Sequence, residues 1–118
     1  MTEQFRGQRT LMRVFIGDSD KYHGKPLYEA LLERFRSKGL AGATVLRGVA
    51  GFGASSKMHT DKVLRLSVDL PLIIEVVETD EVIQGILPDL SEMIGGGLIT
   101  LEKANVILYR PGSTAKPA

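Results

Sequence analysis

The 118-residue sequence has no cysteine, few aromatic residues, only two histidines and no surplus of either charge. Without cysteine, disulfides, thiolate nucleophiles and thiolate metal sites are all excluded. Aromatic residues make up 6% of the chain, too few to stack bases across an open sheet as single-strand RNA readers do. Fifteen lysines and arginines against 14 aspartates and glutamates leave a net charge of +1. No strong field therefore favours nucleic acid or an anionic membrane surface. No apolar run approaches the ~18 residues of a membrane span, and the opening MTEQFRGQRT lacks the apolar centre of a secretion signal. These absences point to a cytoplasmic protein that neither inserts into a membrane nor binds nucleic acid.

What is present fits one globular domain. The length lies within the common range of about 100–150 residues, and 43% hydrophobic with 25% charged residues is ordinary for a packed chain. Residues 1–9 and 111–118 are polar or rich in Pro, Gly and Ser, so they read as flexible ends around a domain at 10–110. Residues 11–16, β-branched and aromatic, read as a strand halted by Gly17-Asp18-Ser19-Asp20. Pro26 suits the first turn of a helix over 26–38, with Leu27, Ala30, Leu31 and Phe35 on its apolar face. Gly39 would close that helix in the left-handed conformation and bring Leu40 against Phe35.

Residues 44–49 read as a second strand and 72–77 as a third. Between them, 54–69 form a long connection expected to carry its own hairpin or short helix. Thr79 or Asp80 caps a second helix, whose stripe is Ile83, Ile86, Leu87, Leu90 and Ile94. Pro88 lies inside that stripe and is expected to kink or break the helix. Gly95-Gly96-Gly97 ends it, and residues 98–109 supply a last strand.

Strand, helix, strand, long loop, strand, helix, strand in so short a chain predicts an α+β fold. The simplest form is a ferredoxin-like βαββαβ sandwich with both helices on one face of a four-stranded antiparallel sheet. Met12, Val14 and Ile16 alternate with Leu11, Arg13 and Phe15, so the first strand has apolar side chains on both faces. The third strand does as well. The face without helices is therefore expected to be covered by further copies of the chain in a closed oligomer.

Four groups of residues could carry chemistry. Gly51-Phe52-Gly53, followed by Ser55, Ser56 and Lys57, offers backbone N–H groups, hydroxyls and a cation suited to phosphate oxygens; the same residues also read as a bulge and a solvated turn. Gly95-Gly96-Gly97 exceeds what a helix cap requires and resembles an anion-cradling turn, or else a permissive loop. Neither the P-loop nor the GxGxxG dinucleotide fingerprint is present. His23 and His59 would need Asp18, Asp20 or Asp61 to complete a metal site, and they read equally as surface residues. Asp18 and Asp20 have the spacing of an acid–base pair but no evident nucleophile or base beside them. Lys25, at the start of a helix, either meets a ligand phosphate or faces water.

The run YEALLERFRSKGLAGATVLRGVAGFG at 28–53 resembles the PII stretch that ends in Gly-Phe-Gly before the long T-loop. Leu70-Pro71 resembles the PII return from that loop, and Gly95 to Thr100 resembles the B-loop glycines ahead of the last strand. More closely, GDSDKYHGKPLYEA, GLAGATVLRGVAGFGA, HTDKVLRLSVDLP and GLITLE resemble the uncharacterised-domain family of PII-like, fluoride-channel-associated proteins. The resemblance spans about residues 10–108. It implies a homotrimeric, non-enzymatic signalling protein that holds an adenine nucleotide as effector, with no required cofactor, in clefts between subunits. Gly51, Phe52 and Gly53 would line the cleft, Ser55 and Ser56 its entrance, and Thr44 the base pocket. Gly95, Gly96 and Gly97 would wrap the phosphates, and Arg110 would add charge. The loop at 54–69, with Lys57, His59, Asp61 and Lys62, would meet a partner, by analogy a membrane transporter or channel.

The departures from PII have physical consequences. Ala54 and Ser55 stand where PII has basic and glutamine residues, Leu98 replaces the B-loop lysine, and Leu108 replaces a strand arginine. Charge-assisted hydrogen bonds are roughly twice as strong as neutral ones, so AMP, ADP or a cyclic nucleotide is favoured over ATP. No tyrosine lies between Ala54 and Asp69, which removes the PII type of loop-tyrosine modification. The alternative function is a divalent-metal-binding trimer of the same architecture that uses His59, Asp61 and His23; bicarbonate is a further effector left open.

Overall fold

The computed structural model describes residues 5–53 and 69–112. The elements are β1 (Phe5–Gly17), β2 (Lys21–Tyr22), β3 (Lys25–Pro26), α1 (Leu27–Ser37), β4 (Thr44–Arg47), β5 (Pro71–Glu78), α2 (Asp80–Met93) and β6 (Leu98–Tyr109). Four of the strands form one sheet in the order β4-β5-β1-β6, every neighbouring pair antiparallel. This is the expected α+β arrangement.

One sheet face carries the core. Met12, Val14 and Ile16 of β1 and Leu72, Ile74 and Val76 of β5 are buried against Leu27, Ala30, Leu31 and Phe35 of α1. Ile83, Ile86, Leu90 and Met93 of α2 complete it. Period-2 burial on the strands meets 3.6-residue periodicity on the helices, which is how two amphipathic layers close on each other. The helices are tied by Arg34, whose guanidinium lies 2.9 Å from the Asp89 carboxylate, with Lys38 at 3.6 Å from the same oxygen.

The other face follows from the register. Leu46, Ile73, Phe15 and Leu98 stand in one apolar row across all four strands. The adjacent row is Thr44, Glu75, Arg13 and Thr100, and beyond it come Val77, Leu11 and Glu102. Arg13 bridges Glu75 at 3.0 Å and Glu102 at 3.3 Å, so a charged centre is set beside the apolar row.

Helix α1 closes as expected. Gly39 has φ +84°, and Leu40 N–H donates to the Phe35 carbonyl while Gly39 N–H donates to that of Arg36; the two bonds define a Schellman cap. Thr79 caps α2 by accepting from Val82 N–H at 3.1 Å.

Three expectations are corrected and one element is new. First, Pro88 does not break α2, which continues from Asp80 to Met93 as one element. Gln84, whose carbonyl loses the Pro88 donor, lies with Gly85 and Pro88 on the exposed side, where water can take the missing place. Second, β1 begins at Phe5, so residues 5–9, which look flexible from their polarity, are strand. They pair with β6 as far as Tyr109, with a bulge between Phe5 and Gly7, and backbone pairing does not require apolar alternation. Third, Pro26 sits at the N-cap position rather than inside α1. The new element is a two-strand hairpin at residues 21–26, with His23 at φ +50° and Gly24 at φ +81° in its turn, the positive-φ pair that two-residue hairpin turns need. The hairpin or helix expected in 54–69 falls almost wholly outside the described residues.

Candidate functional site

The first glycine corner is built where β4 ends. Gly48 N–H donates to the Pro71 carbonyl at 2.7 Å, and a Cβ on Gly48 would lie 2.7 Å from the Pro71 ring. Only glycine lets the chain pass there. The segment then carries Val49 and Phe52 into the open, 80% and 70% exposed. Asp18 and its neighbours fasten both stems of the loop that follows. Arg47 reaches the Asp18 carboxylate at 3.1 Å, Asp18 N–H donates to the Leu70 carbonyl, and Ser19 N–H donates to Asp69 Oδ1. Asp20 accepts from Gly17 N–H at 2.9 Å. The two carboxylates considered for acid–base work thus hold the turn and the loop stems together.

The second corner joins α2 to β6. Gly97 approaches Phe15 so closely that a Cβ would meet its carbonyl oxygen at 2.6 Å, whereas Gly95 and Gly96 have open space beside them. Leu87, Leu90, Ser91, Ile94 and Ile99 surround the three glycines in a hollow of about 450 Å³. No basic residue stands in the last turn of α2, and a helix C-terminus carries partial negative charge. An anion at this corner would therefore depend on the loop's backbone N–H groups and on cations from elsewhere.

Both corners lie at the same end of the sheet, because β4 ends and β6 begins there. They sit on opposite edges with β5 and β1 between, three strand spacings or about 14 Å apart. Thr44 lies at the other end of β4, opposite Glu75. Arg110 follows the far end of β6, a strand of 12 residues, which places it roughly 35–40 Å from Gly97. One protomer therefore spreads the expected ligand residues, with Gly51, Phe52, Gly53, Gly95, Gly96 and Gly97 at one end. Thr44 lies three residues back from that end of β4, in the row of Glu75, Arg13 and Thr100, and Arg110 is at the far end.

Thr44 opens into a cleft of about 570 Å³ on the helix-free face. Its floor includes Thr44, Glu75 and Val77. One wall is the 41–43 segment, and the other is the β1–β6 ribbon with Phe5, Arg9, Val106, Leu108 and Tyr109. Glu75 is held by Arg13, and Glu78 accepts from Ala41 N–H. Thr44 is pointed to by resemblance alone, and Arg9, Glu75 and Tyr109 are not singled out in the sequence, because they converge on this cleft only through the pairing of β1 with β5 and β6.

Ser55, Ser56, Lys57, His59, Asp61 and Lys62 lie outside the described residues. His23 stacks on Tyr22, ring centroids 4.0 Å apart, at the hairpin tip, and Lys25 pairs with Glu33 at 2.7 Å. Among the described residues, no group of three or more His, Asp or Glu side chains could hold a metal ion. No helix among them is long and apolar enough to cross a membrane.

Comparison with known proteins fits this architecture. CPII, a nitrogen regulatory PII-like protein from Thiomonas intermedia K12, superposes with a TM-score of 0.52 at 12% identity, covering 96% of this chain and 100% of CPII. A second CPII structure gives 0.55 at 13% identity over 88% and 98%. At such identity the likeness establishes the fold. In sequence, a UPF0166 protein of Aquifex aeolicus is 37% identical over 85% of this chain and 94% of its own length. A UPF0166 protein of Methanocaldococcus jannaschii is 35% identical over 81% and 89%. The family model DUF190, "Uncharacterized ACR, COG1993", matches residues 9–106, nearly the whole of the sheet and both helices. The chain belongs to the DUF190 family, and its fold is the one seen in CPII.

Proposed function

We propose that the chain is a non-enzymatic PII-like regulator. It assembles as a homotrimer and binds an adenine nucleotide in clefts shared by adjacent protomers. It signals through the 54–69 loop to a partner, with a membrane transporter or channel as the candidate. The observation that carries this reading is that the two glycine corners sit on opposite edges of the sheet at one end of it. The β4 side, with Thr44 and Gly51 to Gly53, and the Gly95 to Gly97 corner lie on opposite edges of one sheet. A closed ring of identical subunits can therefore set the β4 side of one protomer against the Gly95 to Gly97 corner of its neighbour. The apolar row Leu46, Ile73, Phe15 and Leu98 gives neighbouring copies something to bury.

The Thr44 cleft has the size of a small-molecule site, commonly about 300–1,000 Å³, and its apolar walls suit a base. The glycine corners suit phosphate oxygens through backbone N–H groups. With Leu98 and Leu108 in place of cations, AMP, ADP or a cyclic nucleotide is preferred to ATP. The fold neighbour CPII was solved with ADP, AMP and bicarbonate bound, which supports a nucleotide here. The engagement of Asp18 with Arg47 and of Asp20 with the Gly17 N–H supports a structural part for the two carboxylates considered for acid–base work.

Calorimetry with AMP, ADP, ATP and a cyclic nucleotide tests the reading. Micromolar binding of a mono- or diphosphate, weaker ATP and no hydrolysis are expected. No binding of any of them at millimolar concentration overturns it.

A further inference from the structure

We infer that Arg9 is the cation that receives the ligand phosphate in the Thr44 cleft. This rests on the nucleotide reading above and adds to it a residue outside the glycine corners. Arg9 lies on β1 opposite Ala104 of β6 and lines the same cleft as Thr44. It is half-buried, and its guanidinium carbon stands 3.4 Å from the centroid of the Phe5 ring. The ring holds the cation from one side and leaves the N–H groups in the guanidinium plane free to donate, the geometry that matches phosphate oxygens in pairs.

The charges around it fit that role. Two carboxylates line the cleft, and each is engaged elsewhere: Glu75 takes the Arg13 guanidinium and Glu78 takes the Ala41 N–H. Arg9 has no ion-pair partner among the described residues. A cation held in place, half-desolvated and left without a carboxylate is poised for an anion that arrives with a ligand.

Arg9 and Thr44 line one cleft, two strands apart and offset along the sheet on the order of 15 Å between backbones, so the cleft has room for a base at Thr44 with its phosphate towards Arg9.

The test compares AMP with adenosine, which lacks only the phosphate. Binding of each is measured by calorimetry to the wild type, Arg9→Gln and Arg9→Lys, with circular dichroism verifying the fold. Arg9→Gln is expected to weaken AMP about tenfold or more while leaving adenosine within about twofold. Arg9→Lys keeps the charge without the paired geometry and should fall between. Unchanged AMP binding in Arg9→Gln, or equal losses for AMP and adenosine, overturns the role of Arg9 and leaves the nucleotide reading standing. A wild type that binds neither compound overturns the role of Arg9, and one that also binds no ADP, ATP or cyclic nucleotide overturns both.

Discussion

Gly97 passes so close to Phe15 that a Cβ at that position would lie 2.6 Å from the Phe15 carbonyl oxygen. The three consecutive glycines are therefore not equivalent. Gly97 is required by the approach of the β6 start to β1, whereas Gly95 and Gly96 meet nothing within 4 Å. A Gly97→Ala variant is expected to lose about 1–3 kcal/mol of stability, as overpacking against backbone does. Gly95→Ala and Gly96→Ala should stay within about 0.5 kcal/mol. Urea unfolding at matched protein concentration reads the difference.

The contact between the helices makes stability depend on acid. The hydrogen bond from Arg34 chiefly, with the Lys38 charge beside it, holds the Asp89 carboxyl below its usual pKa, against a smaller opposing effect of desolvation. A depressed folded-state pKa contributes stability that is present above the unfolded value, near 4. It is lost as pH falls through the folded value. Asp89→Asn should be less stable than the wild type at neutral pH, and the gap should narrow as pH drops below about 4. Thermal melts across pH 2–7 check this, and a constant gap would contradict it.

Pro88 removes a helix donor without stopping the helix. Proline costs about 3 kcal/mol relative to alanine inside a helix, offset in part by its restriction of the unfolded chain. Pro88→Ala is expected to stabilise the protein by about 1–3 kcal/mol, measured by the same unfolding experiment.

The apolar row predicts the assembly. Leu46 is 45% exposed in a single chain, so a charge there would be tolerated by an isolated protomer but not inside an interface. Light scattering should find the wild type at about three times the 12.9 kDa chain and Leu46→Asp at lower mass, with nucleotide binding lost alongside.

The layers were legible in the sequence because periodicity reports which side of an element is buried. Leu27, Ala30, Leu31 and Phe35 on α1, and Ile83, Ile86 and Leu90 on α2, are core residues that their spacing alone picks out. Gly39 was readable for a different reason, since a helix stop that needs positive φ is written in one residue. Phe5 to Arg9 were not legible as strand. Their pairing partner, 104–109, is nearly a hundred residues away, and polar side chains on a two-strand ribbon leave no alternation. The hairpin at 21–26 was hidden because His23 rather than glycine takes the first positive-φ position.

The candidate site was legible only in part. Glycine runs and Thr44 stand out as local patterns or by resemblance, whereas Arg9, Glu75 and Tyr109 become neighbours of Thr44 through register. Nor could spacing reveal that Gly97 serves packing while Gly95 and Gly96 do not. That distinction depends on where the Phe15 carbonyl points.

Subunit mixing tests the central claim most directly. Thr44→Arg fills the cleft half and Gly96→Val blocks the glycine half; each variant alone should form trimers that bind no AMP. After the two are unfolded together and refolded as mixed trimers, a shared site pairs an intact cleft with an intact corner in about one case in four. Recovery of AMP binding to roughly that level is the predicted result. No recovery in mixed trimers would mean that each site lies within one protomer, and the account would be wrong.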